Sequence, residues 1–333
     1  MAVSGTISNV AFGGMACAVP RHRVDNSVFS NTFGREQMSK FEKMVGVCER
    51  RVAGEAESTA DLAYASALRL KDNACWTPNE VDAVLFVSQT PNHVLPATAC
   101  DLQHMLGIKK DCAVFDINLG CSGFVYGVFV ASSLLQMPNV EKVLLLGGDT
   151  ITKLTRADDA SAAPLFGDAG FALVLKKDGV ATPIHYAFMT DGAGAKAIEA
   201  PIGGHLAMDG MDVFNFTINE VPALIKAHLS NLSLSPDQVE YLVLHQANKF
   251  VLKQVATLTG FSMKKVPISM DRFGNTSSAS IPMTLCDMKE RENSLGVKKV
   301  LMSGFGVGLS WGTLIMDFDF DTCFGIVGGE TNQ

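Results

Sequence analysis

Short apolar runs recur along the chain, separated by segments with helical spacing. "VDAVLFVSQ" (81–89) is a nearly continuous apolar run ending in polar residues, the pattern of a strand covered on both faces. "TACDLQHMLG" (98–107) follows, with apolar positions three and four apart, and predicts a helix. "CAVFDIN" (112–118) reads as a second strand, the segment after Cys121 as a second helix, and "KVLLLGG" (142–148) as a third strand. Strands alternating with helices predict α/β layers around a largely parallel sheet. The helix after Cys121 is apolar on nearly every side, through Phe124, Val125, Val128, Phe129, Val130, Leu134 and Leu135. A helix of that kind is a buried one.

The pattern then repeats. "PNEVDAVLFVSQTP" (78–91) lines up with "PDQVEYLVLHQANK" (236–249), Val81 matching Val239. "VFDINLGC" (114–121) lines up with "SMDRFGN", so that Gly120 falls on Gly274 and Cys121 on Asn275. "KVLLLGG" lines up with "KVLMSGF" (299–305), Lys142 matching Lys299. The offsets are 158, 154 and 157 residues, nearly constant over three elements in the same order. A period this long excludes a solenoid and implies two similar α/β halves packed together. We expect an N-terminal half over 1–178, a connecting, pocket-forming segment over 179–234, and a C-terminal half over 235–333.

Composition narrows the class. The 333 residues are 47% hydrophobic and only 18% charged, which fits a compact protein that also buries a subunit interface, so a homodimer is expected. A net charge of -7 with no basic stripe argues against nucleic acid. No apolar run approaches the roughly 20 residues of a membrane span, and the N-terminus lacks the basic region of a signal peptide, so a cytoplasmic protein is expected. Eight cysteines are scattered without CxxC pairs or zinc spacing, which reads as reduced thiols. Cys17, Cys75, Cys100, Cys112, Cys286 and Cys323 are expected to be core residues.

Cys121 differs because it lies between glycines where a strand becomes a helix. A free thiol with pKa near 8.5 is only about 3% ionised at neutral pH. A helix N-terminus favours the anion by roughly 1–2 kcal/mol, enough to raise the thiolate to about a quarter. Backbone N–H groups at such a turn also make an oxyanion hole. In the repeat, Asn275 holds the place of Cys121, and both are expected to follow a glycine at a strand-to-helix turn. His245 ends the strand "YLVLHQAN", and open α/β sheets bind ligands beyond the carboxyl ends of their strands. Other sites are not supported. "GFGVGLSWG" (304–312) has glycines like a dinucleotide fingerprint, but a β-like run follows where a helix is required. "FGDAG" (166–170) has no phosphate-loop lysine, and neither GxSxG nor HExxH occurs.

These motifs resemble the thiolase superfamily and, within it, the β-ketoacyl-acyl-carrier-protein synthase III group. The resemblance runs from about residue 5 to 320 and rests on "GCSGF" (120–124), "HQAN" (245–248), "GNTSSAS" (274–280), "FGDAG" and "SWG" (310–312). It implies a thiolase-like fold, a duplicated five-layer αβαβα architecture. It further implies a catalytic triad of Cys121, His245 and Asn275. Cys121 would accept an acyl group from a thioester. His245 and Asn275 would hold the enolate formed when a malonyl-type thioester loses carbon dioxide. The backbone N–H groups of Cys121 and Val307 would form the oxyanion hole. Asn248, Lys249, Phe250, Leu95 and Phe214 would contact substrate or carrier. No cofactor or metal is implied, the substrates being acyl-coenzyme A or acyl-carrier-protein thioesters, and the partners are acyl carrier protein and a second copy of the chain.

The chain departs from the family pattern where coenzyme A is gripped. No tryptophan occurs in "SKFEKMVGVCERR", Met44 stands where an arginine is usual, and Ala160 replaces a second arginine. Phe250 stands in place of an arginine associated with carrier docking, Leu95 in place of a pocket-gating phenylalanine, and Val307 in place of a glycine. An indole and a guanidinium on the adenine are worth about 1–2 kcal/mol, so losing them weakens binding about tenfold. The resemblance therefore implies a specialised paralogue that draws its acyl group from a carrier protein or holds coenzyme A loosely, in secondary metabolism or surface-polysaccharide modification. Transfer of the acyl group to a hydroxyl or amine without decarboxylation, and a non-catalytic partner subunit, are the competing expectations.

Overall fold

The computed structural model describes residues 2–292 and 295–328. In chain order the strands are β1 (Val3–Ile7), β2 (Val10–Ala18), β3 (Arg23–Asp25), β4 (Glu49–Arg51), β5 (Ala83–Val87), β6 (Ala113–Ile117), β7 (Lys142–Asp149), β8 (Ala169–Lys177), β9 (Ile184–Thr190), β10 (Ile198–Glu199), β11 (Ala207–Met208), β12 (Tyr241–Leu244), β13 (Val297–Gly306), β14 (Ser310–Asp319) and β15 (Cys323–Val327). The helices are α1 (Ser30–Phe33), α2 (Arg35–Val45), α3 (Thr59–Asp72), α4 (Thr98–Met105), α5 (Gly123–Leu134), α6 (Gly210–Asn231), α7 (Lys249–Thr259), α8 (Met270–Phe273) and α9 (Ser280–Arg291).

Two large sheets carry the fold. One has the order β15-β2-β8-β7-β5-β6 and the other β1-β9-β14-β13-β12. Set side by side, β2, β8, β7 and β5 occupy the places of β9, β14, β13 and β12. At the corresponding place each sheet has a parallel pair, β5 with β7 and β12 with β13. Among the described residues only β15–β2 and β5–β6 are parallel besides these, so the sheets are mixed and not largely parallel as expected. The five residues of β5 are all buried because helices cover both faces of its sheet, which is why the sequence there is continuously apolar. The middle layer holds α5 and α9. α5 packs on β5 and β7 of one sheet and on β13 and β14 of the other. α3 and α4 lie outside the first sheet, α6 and α7 outside the second, giving the five layers expected.

Sheet membership crosses the boundaries expected at 178 and 235. β1, from the N-terminal segment, pairs antiparallel with β9 in the second sheet, from Val3↔Phe188 to Ile7↔Ile184. β9 itself falls in the expected connecting segment. β15, near the C-terminus, pairs parallel with β2 in the first sheet. Each sheet ends in a strand from the other end of the chain, which covers an edge that would otherwise be unpaired.

The repeat fails at one element. "VFDIN" forms β6, but its counterpart before Asn275 is the helix α8, so Asn275 follows a helix and not the expected strand. The segment places Asp271 and Arg272 side by side. Arg272 pairs with Asp287 at 2.6 Å and Arg291 with Asp271 at 3.7 Å, which ties α8 to α9, while Met270 and Phe273 are buried. The cysteines are free. Cys17, Cys286 and Cys323 are core residues, but Cys100 is exposed, since α4 turns Ala99 and Leu102 inward and position 100 away. No helix among the described residues is long and apolar enough to cross a membrane.

Candidate active site

Cys121 lies in a tight turn between β6 and α5, closed by a hydrogen bond from the Gly123 N–H to the Gly120 carbonyl at 2.6 Å. Backbone from the second half presses against it. A Cβ on Gly306 would stand 2.7 Å from Cys121 Cβ and 2.9 Å from its Sγ, so only glycine permits that approach. The N–H of Val307, next along, lies beside the Cys121 sulfur and, with the Ser277 hydroxyl and the N–H of Cys121 itself, favours its anion.

His245 leaves the end of β12, its N–H donating to the Ser303 carbonyl at 2.8 Å. Its Nδ1 lies 2.7 Å from the Ser280 hydroxyl, and its ring meets Phe305 edge-on at 5.5 Å. In the tautomer where the Ser280 hydroxyl donates to a neutral Nδ1, the ring proton sits on Nε2. The run Phe305–Gly306–Val307 thus touches the histidine at one end and the cysteine at the other.

Asn275 is clamped through its backbone, its N–H donating to the Leu165 carbonyl at 2.9 Å and its carbonyl accepting from Gly167 at 3.1 Å. Its Oδ1 accepts the Ser277 N–H at 3.0 Å, so the Nδ2 end is the one left to donate. The following loop is anchored by Asp149 at the end of β7. This fully buried carboxylate accepts Ser278 through N–H (3.1 Å) and hydroxyl (2.7 Å), and Gln89 through its N–H (2.7 Å). Asp168 of "FGDAG" does similar work, accepting the N–H groups of Ala53 at 2.7 Å and Thr152 at 3.0 Å.

All three side chains line one cavity of about 920 Å³. Its environment reverses the expected thiol chemistry. Burial pushes Cys121 up to about 11, opposed by the Val307 N–H and the Ser277 hydroxyl and reinforced by nearby Asp149. The residue is partly exposed, but to the cavity, so bulk solvent does not stabilise its anion. At rest Cys121 is therefore a thiol, not the quarter-ionised thiolate expected from the helix end alone. Burial likewise lowers His245 to about 3, a hydrogen bond with the Ser277 backbone acting the other way, so the ring is neutral at physiological pH.

Val307, Asn248 and Phe214 also line the cavity. The side chain of Asn248 accepts the Val251 N–H at 2.8 Å as the N-cap of α7. Lys249, Phe250 and Leu95 stand outside it. Phe250 stacks on Phe214 at 5.6 Å, Lys249 is exposed on the first turn of α7, and Leu95 is 79% exposed. Asp149, Ser277, Ser280 and Gly306 were missed as site residues. "GNTSSAS" contained two of them, but nothing in it tells which hydroxyl faces a histidine.

The sequence matches the family described as 3-oxoacyl-[acyl-carrier-protein (ACP)] synthase III over residues 115–192, and its C-terminal counterpart over 229–318. It is 34% identical over 276 residues to the β-ketoacyl-[acyl-carrier-protein] synthase III of Oceanobacillus iheyensis, covering 81% of this chain and 87% of that one. The chain belongs to the β-ketoacyl-[acyl-carrier-protein] synthase III family. The family's enzyme from Staphylococcus saprophyticus is 32% identical over 310 residues, 92% of this chain and 98% of its own. In three dimensions the synthase III chain is similar to a 3-oxoacyl-(acyl-carrier protein) synthase of Burkholderia xenovorans, with a TM-score of 0.94, 33% identity, and coverage of 98% and 99%. Its five layers are the thiolase-like fold, and it is a condensing enzyme of the acyltransferase type.

Proposed function

We propose that the family's reaction, acyl transfer to a cysteine followed by decarboxylative condensation with a malonyl-type thioester, runs in this chain on Cys121, His245 and Asn275. The observation that carries this reading is the convergence of the three on one cavity, with the Gly306–Val307 backbone pressed against the sulfur. The sulfur attacks the thioester carbonyl, the Cys121 and Val307 N–H groups hold the oxyanion, and the donor departs as a thiol carrying the proton of Cys121. A malonyl thioester then loses carbon dioxide. The neutral Nε2–H of His245 and the Nδ2–H of Asn275 hold the enolate oxygen, the enolate carbon bonds to the acyl carbonyl, and Cys121 leaves as thiolate and is reprotonated. A ring held near pKa 3 suits this role, because it donates a hydrogen bond without surrendering its proton.

The acyl donor in this reading is an acyl carrier protein, received near Lys249, Phe250 and Phe214 at the cavity rim. The chain acts as a homodimer. β6 is a five-residue edge strand with Phe115 exposed, and unpaired edges of this kind invite a second copy. Leu95 is exposed and does not line its own cavity, which supports its reaching the other subunit.

The test is release of labelled carbon dioxide from a carboxyl-labelled malonyl thioester, on carrier protein or coenzyme A, by acylated enzyme. His245→Ala and Asn275→Ala are expected to keep the acyl group on Cys121 yet release carbon dioxide at least about 100-fold more slowly. An acylated wild type that passes its acyl group to a hydroxyl or amine with no release would replace this reading with simple acyl transfer.

A further inference from the structure

The two oxyanion donors come from different halves of the duplicated fold: Cys121 from the first, Val307 from the second. Something must hold these halves in register to within a fraction of an ångström for both N–H groups to meet one oxygen. A hydrogen-bonded chain runs between them. The Ser122 hydroxyl lies 2.6 Å from the Ser310 hydroxyl, and the Ser310 hydroxyl donates to the Val307 carbonyl at 2.8 Å. Each hydroxyl has one proton. Since that of Ser310 is given to Val307, Ser122 must donate to Ser310, and the direction of the chain is fixed.

Two further observations set this chain apart from incidental serine packing. Ser122 occupies the N-cap position of α5, where a serine hydroxyl ordinarily accepts a helix N–H, yet its side chain makes no capping bond. Its hydroxyl is committed to the other half instead. Val307 is flanked by Gly306 and Gly308, at φ 154° and 139°, so neither neighbouring residue carries a side chain that would limit the backbone there. The Ser310 hydroxyl holds the carbonyl of Val307, in the peptide that follows it, and so limits the rotation about the Val307 Cα that sets the direction of its N–H. Ser122 and Ser310 are both buried, so water does not compete for the bonds.

We infer that Ser310 is a positioning residue of the oxyanion hole, acting with Ser122 to fix the Val307 carbonyl and, through the Val307 Cα, the direction of the Val307 N–H beside Cys121 across the interface between halves. This rests on the acyl-cysteine reading above, and the experiment separates the two. The time course of acyl-enzyme formation is followed by rapid-quench intact-mass measurement over a range of acyl-donor concentrations, in wild type, Ser310→Ala, Ser310→Thr, Ser122→Ala and the double alanine variant. Removing an oxyanion donor outright costs about 100- to 1,000-fold, so misplacing one is expected to slow saturated acylation by Ser310→Ala about 10- to 100-fold. Half-saturation should stay within about twofold, since the hole binds the transition state rather than the bound donor. Ser122→Ala should behave alike, the double variant should be no slower than the slower single one, because the hydroxyls act as a unit, and Ser310→Thr should restore most of the rate. Ser310→Ala acylating at the wild-type rate, a loss confined to half-saturation, or full additivity of the two alanine changes overturns the inference. A folded wild type that never acylates overturns the acyl-cysteine reading itself.

Discussion

At the scale of single residues, the cavity keeps both Cys121 and His245 uncharged at rest. A thiol held near 11 is protonated throughout the physiological range, and its thiolate fraction rises tenfold for each unit by which pH increases toward that value. Alkylation of Cys121 by iodoacetamide, followed by peptide mass, is therefore expected to accelerate about tenfold per unit from pH 6 to 9. No step should appear from His245, which titrates near 3. A plateau by pH 7 would mean a stabilised thiolate. Ser280→Ala removes the bond that fixes the imidazole tautomer, and condensation should slow at least about tenfold while acylation is little changed. The sequence made Cys121, His245 and Asn275 legible through their motifs and the repeat. It did not reveal the upward pull on the thiol's pKa, because burial is a property of the assembled cavity and opposes the local pull of a helix end.

Among the elements, the decisive contact is that of β13 and the turn after it with the start of α5. Gly306→Ala places a methyl 2.7 Å from Cys121 Cβ and forces the two halves apart at Cys121. Acylation should fall at least about 100-fold, and stability by about 1–3 kcal/mol, measured by single-turnover acylation and denaturant unfolding. Elements with strong apolar runs were readable: β5, β7, β12, β13 and α5 all form where their patterns place them. The segment before Asn275 was not. Its alignment with "VFDIN" predicts a strand, yet ion pairs from Arg272 and Arg291 and the burial of Met270 and Phe273 favour a short helix there. Alignment between repeats transfers position more faithfully than secondary structure.

The molecule as a whole binds its halves together by exchanging its ends, and that exchange was hidden from the sequence because β1 and β15 are short and take their meaning only from distant partners. Buried histidines make its stability depend on pH. His228, hydrogen-bonded to Thr313 at 2.7 Å, is lowered by burial to about 4. Its unfolded form takes up a proton below about 6.5 while the folded form does not, so this group costs stability as pH falls from 6.5 to 4. The cost is about 1.4 kcal/mol per unit of separation. Relative to wild type, His228→Gln should gain stability over that interval in denaturant unfolding, and a pH-independent difference would contradict the assignment. The central claim is that Cys121 carries the acyl group, and intact-protein mass spectrometry tests it most directly. Wild type and Cys121→Ala are incubated with a panel of acyl-carrier-protein and acyl-coenzyme A thioesters. A single acyl adduct on wild type, absent from the variant and formed faster from carrier protein, is the expected result; an adduct that persists in Cys121→Ala would contradict it.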